Sequence, residues 1–210
     1  MARIPFPLAI APGEGALQRY ALRQRWDESH LRTTRRLIDP QPGARMLEVG
    51  SGRGHLTRQL DALGVVATGI DANPAAAEHA IARDIRVMRV EQIEFHDGAF
   101  DHVIAIHAIE HFPALELAFA EMARVLRPGG VMLLTYPWEP IRGIGAVPDA
   151  ITIYRNPFRA RELHRHNLRP SRVRRLGEAV GLEHVHTEFR VVWPQFTTVL
   201  RKPVEGDPAG

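Results

Sequence analysis

The run from Met46 to Gly54 restricts the fold more than any other stretch of the sequence. A short apolar segment leads to Glu48, and Gly50, Gly52 and Gly54 follow before an amphipathic stretch. Glycine lets the backbone turn tightly and approach a ligand closely, because it has no Cβ atom. The order of strand, glycine turn and helix predicts a nucleotide-cofactor loop at the carboxyl end of the first parallel strand of an α/β sheet.

The spacing of these glycines argues against a dinucleotide cofactor. A dinucleotide loop has the pattern G-x-G-x-x-G and places a pyrophosphate at the N-terminus of the following helix. This chain has the pattern E-x-G-x-G-x-G, in which Gly54 comes one residue too early. The loop is therefore predicted to bind a different nucleotide-containing cofactor.

The segments that follow the glycine loop have the intervals of a doubly wound sheet. Residues 64–70 predict a second strand that ends at Asp71, seventeen residues after Gly54, where an acid can accept hydrogen bonds from ribose hydroxyls. Residues 85–90 predict a third strand and residues 100–106 a fourth, buried one. Further elements are predicted at residues 14–38, 113–126 and 171–180 as helices, and at 131–135, 182–189 and 196–200 as strands.

Four motifs together resemble those of one enzyme family. They are the glycine run, Phe100-Asp101-x-Val103, Ile109-Glu110-His111 and the string from Arg124 to Gly130. The chain resembles the class I S-adenosylmethionine-dependent methyltransferases over residues 43–136, and more loosely over 160–200. The resemblance implies a Rossmann-like α/β fold, with a seven-stranded sheet, an antiparallel last strand and helices on both faces. It also implies S-adenosyl-L-methionine as the cofactor.

The same resemblance implies a set of cofactor-binding residues at the ends of the first four strands. They are Glu48, Gly50, Ser51, Gly52, Gly54, Asp71, Ala72, Val90, Glu91 and Ile106. Members of the family often have an aspartate at the end of the third strand that meets the adenine amino group. Arg89 stands at that position here, so the adenine contact is assigned to Val90 and Glu91 instead.

The segment His107-Ala108-Ile109-Glu110-His111 follows the fourth strand, where methyl transfer takes place in this family. His107, Glu110 and His111 resemble the divalent-metal site of the small-RNA 3′-end 2′-O-methyltransferases, which implies His166 as a fourth ligand. That family has an acid where this chain has His107. Magnesium prefers oxygen ligands, whereas imidazole suits later first-row ions. The predicted ion is therefore a divalent one such as magnesium or manganese.

Three interpretations of these residues stay open. His111 is a structural histidine, or it is a metal-free general base with a suitable unperturbed pKa. In the third interpretation, His107, Glu110, His111 and His166 hold a divalent ion that chelates two neighbouring hydroxyls of the substrate. No function is assigned to the other histidines of the chain, which include His164.

Composition narrows the class of protein. A chain of 210 residues, 45% hydrophobic, has enough apolar material for one buried core. It has no cysteine, which excludes disulfides and thiolate chemistry and favours a cytoplasmic protein. No apolar run approaches the length of a membrane span. We expect an N-terminal arm and cap helix over residues 1–42, a methyltransferase domain over 43–203 with a substrate lid at about 137–170, and a tail over 204–210.

The basic residues are almost all arginine, and many lie in one segment. The net charge is +3 and the pI about 9.9. The segment from residue 155 to 175 contains Arg155, Arg159, Arg161, Arg165, Arg169, Arg172, Arg174 and Arg175. These arginines either form a solvated surface or recognise an anionic or polyhydroxylated substrate. Few aromatic residues lie between them, so a nucleic acid partner is not favoured.

The function predicted first is methyl transfer to the oxygen of a small polar acceptor such as a glycoside or another sugar, with or without a divalent metal. A second hypothesis is a metal-free methyltransferase of a quinone, phenol or amine metabolite. A third, of another class, is a non-catalytic cofactor-binding subunit. The apolar arm at residues 4–12 suggests a homodimer, and Tyr20 and Trp26 are expected either to line the cofactor site or to pack the cap helix on the sheet.

Overall fold

The computed structural model describes residues 28–204, so the arm at residues 4–12, Tyr20, Trp26 and the tail from residue 205 lie outside the described residues. The strands are β1 (Arg45–Val49), β2 (Val66–Asp71), β3 (Ile85–Val87), β4 (Phe100–Ile106), β5 (Leu126–Pro137), β6 (Glu183–Arg190) and β7 (Gln195–Arg201). The helices are α1 (Glu28–Leu37), α2 (His55–Ala62), α3 (Pro74–Glu78), α4 (Leu115–Val125), α5 (Val147–Tyr154), α6 (Ala160–Leu163) and α7 (Pro170–Ala179).

The strands form one seven-stranded sheet in the order β3-β2-β1-β4-β5-β7-β6. The first five strands are parallel to one another, and β7 is antiparallel to both β5 and β6. The predicted Rossmann-like sheet with an antiparallel last strand is therefore confirmed. The chain runs outward from β1 to β3 and then returns to place β4 on the other side of β1. Ligands of open α/β sheets bind at such a reversal, outside the carboxyl ends of the strands.

Side chains of β1 alternate between the two faces of the sheet, as the pleat of a strand requires. Met46 packs in one apolar cluster with Leu60 of α2, while Leu47 packs in another with Phe119 of α4 and Val173 of α7. Each fully buried side chain of this size contributes about 1.5–3 kcal/mol of transfer free energy. The two clusters hold helices on both faces, as predicted.

The third strand is shorter than predicted, because it ends at Val87 and not at residue 90. Val87 pairs with Asp71, the last residue of β2, and only the Met88 amide donates one further hydrogen bond to the Asp71 carbonyl. Beyond that point β2 offers no backbone partner. The fifth strand is longer than predicted, since it begins at Leu126 directly after α4.

Residues 137–170, the segment predicted as a substrate lid, contain α5, α6 and two short 3₁₀ turns. We refer to this segment as the lid. It has its own apolar cluster, separate from the two on the sheet, which consists of Ala146, Ala150, Ile153, Ala160 and Leu163. Within residues 28–204, no helix combines the length and the apolarity that crossing a membrane requires.

Candidate functional site

The glycine loop connects β1 to α2 at the point where the strand order reverses. Gly50, Gly52 and Gly54 all have positive φ angles, of 74°, 51° and 82°. The amides of Gly50 and Ser51 both donate to the Ile70 carbonyl, at 2.8 and 3.0 Å, which fixes the loop against the end of β2. Left-handed backbone at alternate positions is costly for other residues, and this explains the glycine pattern.

The loop after β4 packs directly on the glycine loop. A Cβ atom built on Gly50 would lie 2.5 Å from the Cβ atom of Ala108. His107 has a left-handed φ of 50°, and its amide donates to the Thr135 carbonyl of β5 at 2.8 Å. The segment from His107 to His111 is thus fixed beside the glycine loop by backbone contacts on both sides.

This contact predicts unequal effects for two glycine substitutions. Gly43→Ala meets no atom within 4 Å at a φ of +85°, so we expect only the cost of left-handed alanine, about 1–2 kcal/mol. Gly50→Ala has the same backbone cost at a φ of +74° and also overlaps Ala108, which adds about 1–3 kcal/mol. Urea unfolding of both variants measures the difference. Equal losses of unfolding free energy in the two variants would show that the glycine loop and the loop after β4 do not touch.

Asp71, the predicted ribose acceptor, lies at the carboxyl end of β2. Its Oδ2 accepts a hydrogen bond from the Gly52 amide at 2.9 Å, and its Oδ1 accepts one from the Asn73 amide at 2.8 Å. Burial raises the pKa of Asp71, although these two amides and the charge of His111 act in the opposite direction. A carboxylate has about four acceptor positions, so both oxygens retain capacity for hydroxyl donors.

Glu48 joins the end of β1 to α2. Its Oε2 accepts hydrogen bonds from the amide and the hydroxyl of Thr57, at 2.9 and 2.5 Å. Burial raises the pKa of Glu48 to about 7, although both bonds from Thr57 lower it. The structure therefore holds this carboxyl in a place where ionisation is unfavourable.

This raised pKa predicts a loss of stability with increasing pH. The folded chain binds the Glu48 proton more tightly than the unfolded chain, in which the pKa is 4.5. The contribution of this group is therefore greatest below pH 4.5 and falls by about 3 kcal/mol as the pH rises through 7. Glu48→Gln keeps an oxygen acceptor but does not titrate, so its unfolding free energy should lack this decline. Denaturant unfolding at pH 5 and pH 8 compares the two, and equal slopes would contradict the assignment.

A second group of polar side chains lies at the carboxyl end of β4. Glu110 and His111 come from a 3₁₀ turn, Ile109–His111, and His164 follows α6 of the lid. One carboxylate oxygen and one ring nitrogen from each histidine lie within 4.8 Å of one another. His111 Nδ1 lies 2.7 Å from the Leu163 carbonyl, and His164 Nδ1 lies 2.7 Å from Glu139 Oε1.

Burial and charge interactions shift the pKa values of this group in opposite directions. Burial acts to raise the pKa of Glu110, but the bond to His107 and the charges of the nearby histidines leave it lowered. Burial acts to lower the pKa of His107, whose Nδ1 lies 3.6 Å from Glu110 Oε1, but Glu110 and Gln195 leave it raised. Burial lowers the pKa of His111 against the attraction of Glu110. The pKa of His107 is therefore shifted above its ordinary value and that of His111 below it, although both rings lie near the same carboxylate.

The donor set that the described residues bring together differs from the predicted metal ligands at two positions. His166 Nε2 lies 2.8 Å from the Phe112 carbonyl, so this ring is engaged away from the group. His107 Nε2 lies 2.9 Å from Gln195 Oε1, and its ring is not among the three donors that the described part of the chain brings together. His164 lies there instead.

The positions predicted for the cofactor fall into two sets. The glycine loop, Asp71 and the exposed Ala72 lie together at the ends of β1 and β2, and Ile106 ends β4 beside them. Val90 is buried in the core beneath α4, and Glu91 accepts from the Ala114 amide at 3.4 Å and from Arg89 Nε at 3.3 Å. Glu91 therefore ties the loop after β3 to the start of α4.

Sequence reasoning missed four residues of the site. Thr57 is a polar residue on the buried face of α2, which was a usable signal. Glu139 is an acid between a tryptophan and a proline, and it is 4% exposed. His164 and Gln195 gave no usable signal, because their neighbours in sequence have no periodicity that indicates which side chains point inward.

These features define the fold. An open sheet with an antiparallel last strand, a short-spaced glycine loop and an acid at the end of β2 form the Rossmann-like fold of the class I methyltransferases. Residues 47–134 match the family model described as "Methyltransferase domain". Over this stretch the chain is therefore similar to a methyltransferase domain.

Two curated relatives and one solved structure show how far the similarity extends. The ubiquinone biosynthesis O-methyltransferase of Paramagnetospirillum magneticum is 35% identical over 55% of this chain and 49% of its own length. Phosphoethanolamine N-methyltransferase 2 of Caenorhabditis elegans is 32% identical over 51% of this chain and 27% of its own. Thus the chain spans about half or less of the length of these relatives.

The solved structure is that of Haemonchus contortus phosphoethanolamine N-methyltransferase 2 in complex with S-adenosyl-L-methionine. It aligns with a TM-score of 0.68 and 15% identity, over 90% of this chain and 57% of that one. At this identity the likeness supports the fold alone. One relative is named an O-methyltransferase and the other an N-methyltransferase, so these similarities do not identify an acceptor.

Proposed function

We propose that this protein transfers the methyl group of S-adenosyl-L-methionine to a hydroxyl group of a small acceptor. The observation that supports this most directly is the position of Glu110 and His111. Their turn packs on the glycine loop through Ala108 and Gly50, so an acceptor bound against them would lie next to the cofactor. A site with a glycine loop, an acid for the ribose and polar groups at the point of transfer is more than a cofactor-binding subunit requires.

The proposed step is an in-line displacement. The acceptor oxygen forms a bond to the methyl carbon while the carbon–sulfur bond breaks, and S-adenosylhomocysteine leaves with the electron pair of that bond. The hydroxyl proton passes to the Glu110–His111 group or to solvent. Placement of the two reactants supplies roughly 7–11 kcal/mol, and assistance to proton removal contributes about 10²- to 10⁴-fold.

We place a phenolic or quinol hydroxyl ahead of the sugar that the sequence favoured first. One relative that supports this order is the protein of Paramagnetospirillum magneticum, which is named an O-methyltransferase of ubiquinone biosynthesis. The lid also exposes large apolar side chains, Ile141, Ile144, Ile151 and Phe158, the last with 90% exposure. Exposed apolar side chains suit contact with an aromatic acceptor better than with a polyhydroxylated one, since sugar sites need polar partners for each hydroxyl.

The test is a panel of acceptors with the full chain. A catechol, a hydroquinone, a glycoside and ethanolamine are each incubated with S-adenosyl-L-methionine, and S-adenosylhomocysteine release is measured. We expect turnover with a phenolic acceptor. Turnover with the glycoside alone, or with the amine alone, would contradict the phenolic acceptor and assign the class of that compound instead. Cofactor binding without turnover on any acceptor, with and without added divalent ions, would favour the non-catalytic subunit.

A further inference from the structure

The group formed by Glu110, His111 and His164 has the arrangement of a metal centre. Its three donor atoms lie within 4.8 Å of one another, and the two rings are 4.9 Å apart between centroids. Ligands on one ion, with bonds of about 2.1 Å, lie no more than about 4.2 Å apart. Three ligands at tetrahedral angles on such an ion lie about 3.4 Å apart, so the most widely spaced donors must approach each other by as much as about 1.4 Å when the ion binds.

Each histidine of this group has its Nδ1 atom beside a backbone carbonyl or a carboxylate. Nδ1–H of His111 donates to the Leu163 carbonyl, and Nδ1–H of His164 donates to Glu139. Glu139 is itself held by the amides of Gly143 and Gly145, at 2.9 and 2.8 Å. These bonds select the tautomer in which Nε2 has a lone pair, and metal-binding histidines are oriented by bonds of this kind.

Glu110 supplies an independent indication of a missing partner. Its side chain is 2% exposed, and its Oε2 atom is buried without a hydrogen-bond partner among the described residues. A buried carboxylate oxygen without a partner costs several kcal/mol, so such atoms are rare in folded proteins. Glu110 Oε1 faces His107 Nδ1 at 3.6 Å, which leaves Oε2 for another ligand.

We infer that Glu110, His111 and His164 bind one divalent first-row transition ion, with Glu139 and His107 as positioning residues. Two imidazoles and one carboxylate suit zinc, iron or cobalt better than magnesium, which prefers oxygen ligands. Three protein ligands leave positions on the ion for other donors, as in catalytic sites. This inference deepens the proposed function, because the open positions would take the acceptor hydroxyl beside the cofactor.

Such an ion would also attach the lid to the sheet. Glu110 and His111 belong to the loop after β4, whereas His164 and Glu139 belong to the lid. The Arg165 amide already donates to the Glu110 carbonyl at 2.9 Å. A metal bond from His164 to the same loop would add a contact close to the site of methyl transfer.

The test is titration of the EDTA-treated full chain with Co²⁺, followed by visible absorption and by metal analysis after gel filtration. We expect one ion per chain in the unmodified protein. His164→Gln and Glu110→Gln should each weaken binding by at least about 100-fold, since loss of a mere orienting partner already costs about 10- to 100-fold. The matched control is His166→Gln, which alters the lid two residues away and should bind Co²⁺ as the unmodified protein does.

Several results would overturn the inference. One is that the unmodified chain binds neither Co²⁺ nor Zn²⁺. Another is that His166→Gln loses as much affinity for Co²⁺ as His164→Gln does. Calorimetry with S-adenosylhomocysteine checks that each variant is folded. If His164→Gln fails this check, Glu139→Gln replaces it, and its affinity for Co²⁺ should fall by about 10- to 100-fold. Turnover without metal binding would overturn this inference alone, while metal binding without turnover on any acceptor would overturn only the proposed function.

Discussion

Asp71→Ala is expected to weaken the binding of S-adenosylhomocysteine by roughly 30- to 20,000-fold. The proposed role of Asp71 is to accept hydrogen bonds from the two ribose hydroxyls, and each polar group left unpaired in a closed site costs about 1–3 kcal/mol. The substitution also removes the acceptor for the Gly52 and Asn73 amides, which position the glycine loop. Calorimetric titration of the purified variant measures the effect directly.

Two further variants separate the ribose contact from a general loss of structure. Asp71→Asn retains one oxygen acceptor and should give an intermediate affinity. Asp84→Asn is the matched control, because Asp84 precedes β3 and accepts from Thr68 and Arg86, outside the proposed site. It should lower the unfolding free energy without a change in cofactor affinity. Unchanged affinity in Asp71→Ala would remove Asp71 from the cofactor site.

His111→Ala is expected to lower kcat by about 10²- to 10⁴-fold while the affinity for S-adenosylhomocysteine stays near that of the unmodified protein. His111 is bonded through Nδ1 to the Leu163 carbonyl, so its other nitrogen is available to the acceptor or to an ion. The measurements are steady-state kinetics with the best acceptor of the panel and calorimetry with S-adenosylhomocysteine.

The matched control for this variant is His96→Ala, because the His96 ring lies in an exposed loop with its Nδ1 atom 2.9 Å from the Asp97 carbonyl. Its kinetics should not change. An equal loss of turnover and of cofactor affinity in His111→Ala would assign His111 to the structure of the site, the first of the three interpretations that the sequence left open.

Much of the geometry of the proposed cofactor half of the site could be predicted from the sequence, because the relevant rules are local. A glycine at alternate positions after an apolar strand indicates a left-handed turn, and Gly50, Gly52 and Gly54 all have positive φ angles. An acid at the end of the next parallel strand must lie near that turn, and Asp71 indeed accepts from Gly52. Adjacent parallel strands end at the same edge of a sheet, so short intervals in the sequence were sufficient.

The acceptor half depended on contacts between distant segments. Glu139 and His164 are separated by 25 positions, and His107 and Gln195 by 88. The segment from residue 160 to 170 contains two histidines at positions 164 and 166, and no periodicity indicates which of them points at Glu110. The prediction therefore chose His166, which contacts the Phe112 carbonyl, and left His164 unassigned.

The sequence by itself determined the class of sheet, the place of the glycine loop and the acid at the end of the second strand. Backbone torsions and the alternation of strand side chains are properties of a few consecutive residues, so these features did not require the rest of the fold. Only the tertiary structure decided which histidine of the lid joins Glu110 and His111. That choice depends on how the lid packs on its own apolar cluster, and Glu139 then holds the chosen ring in place.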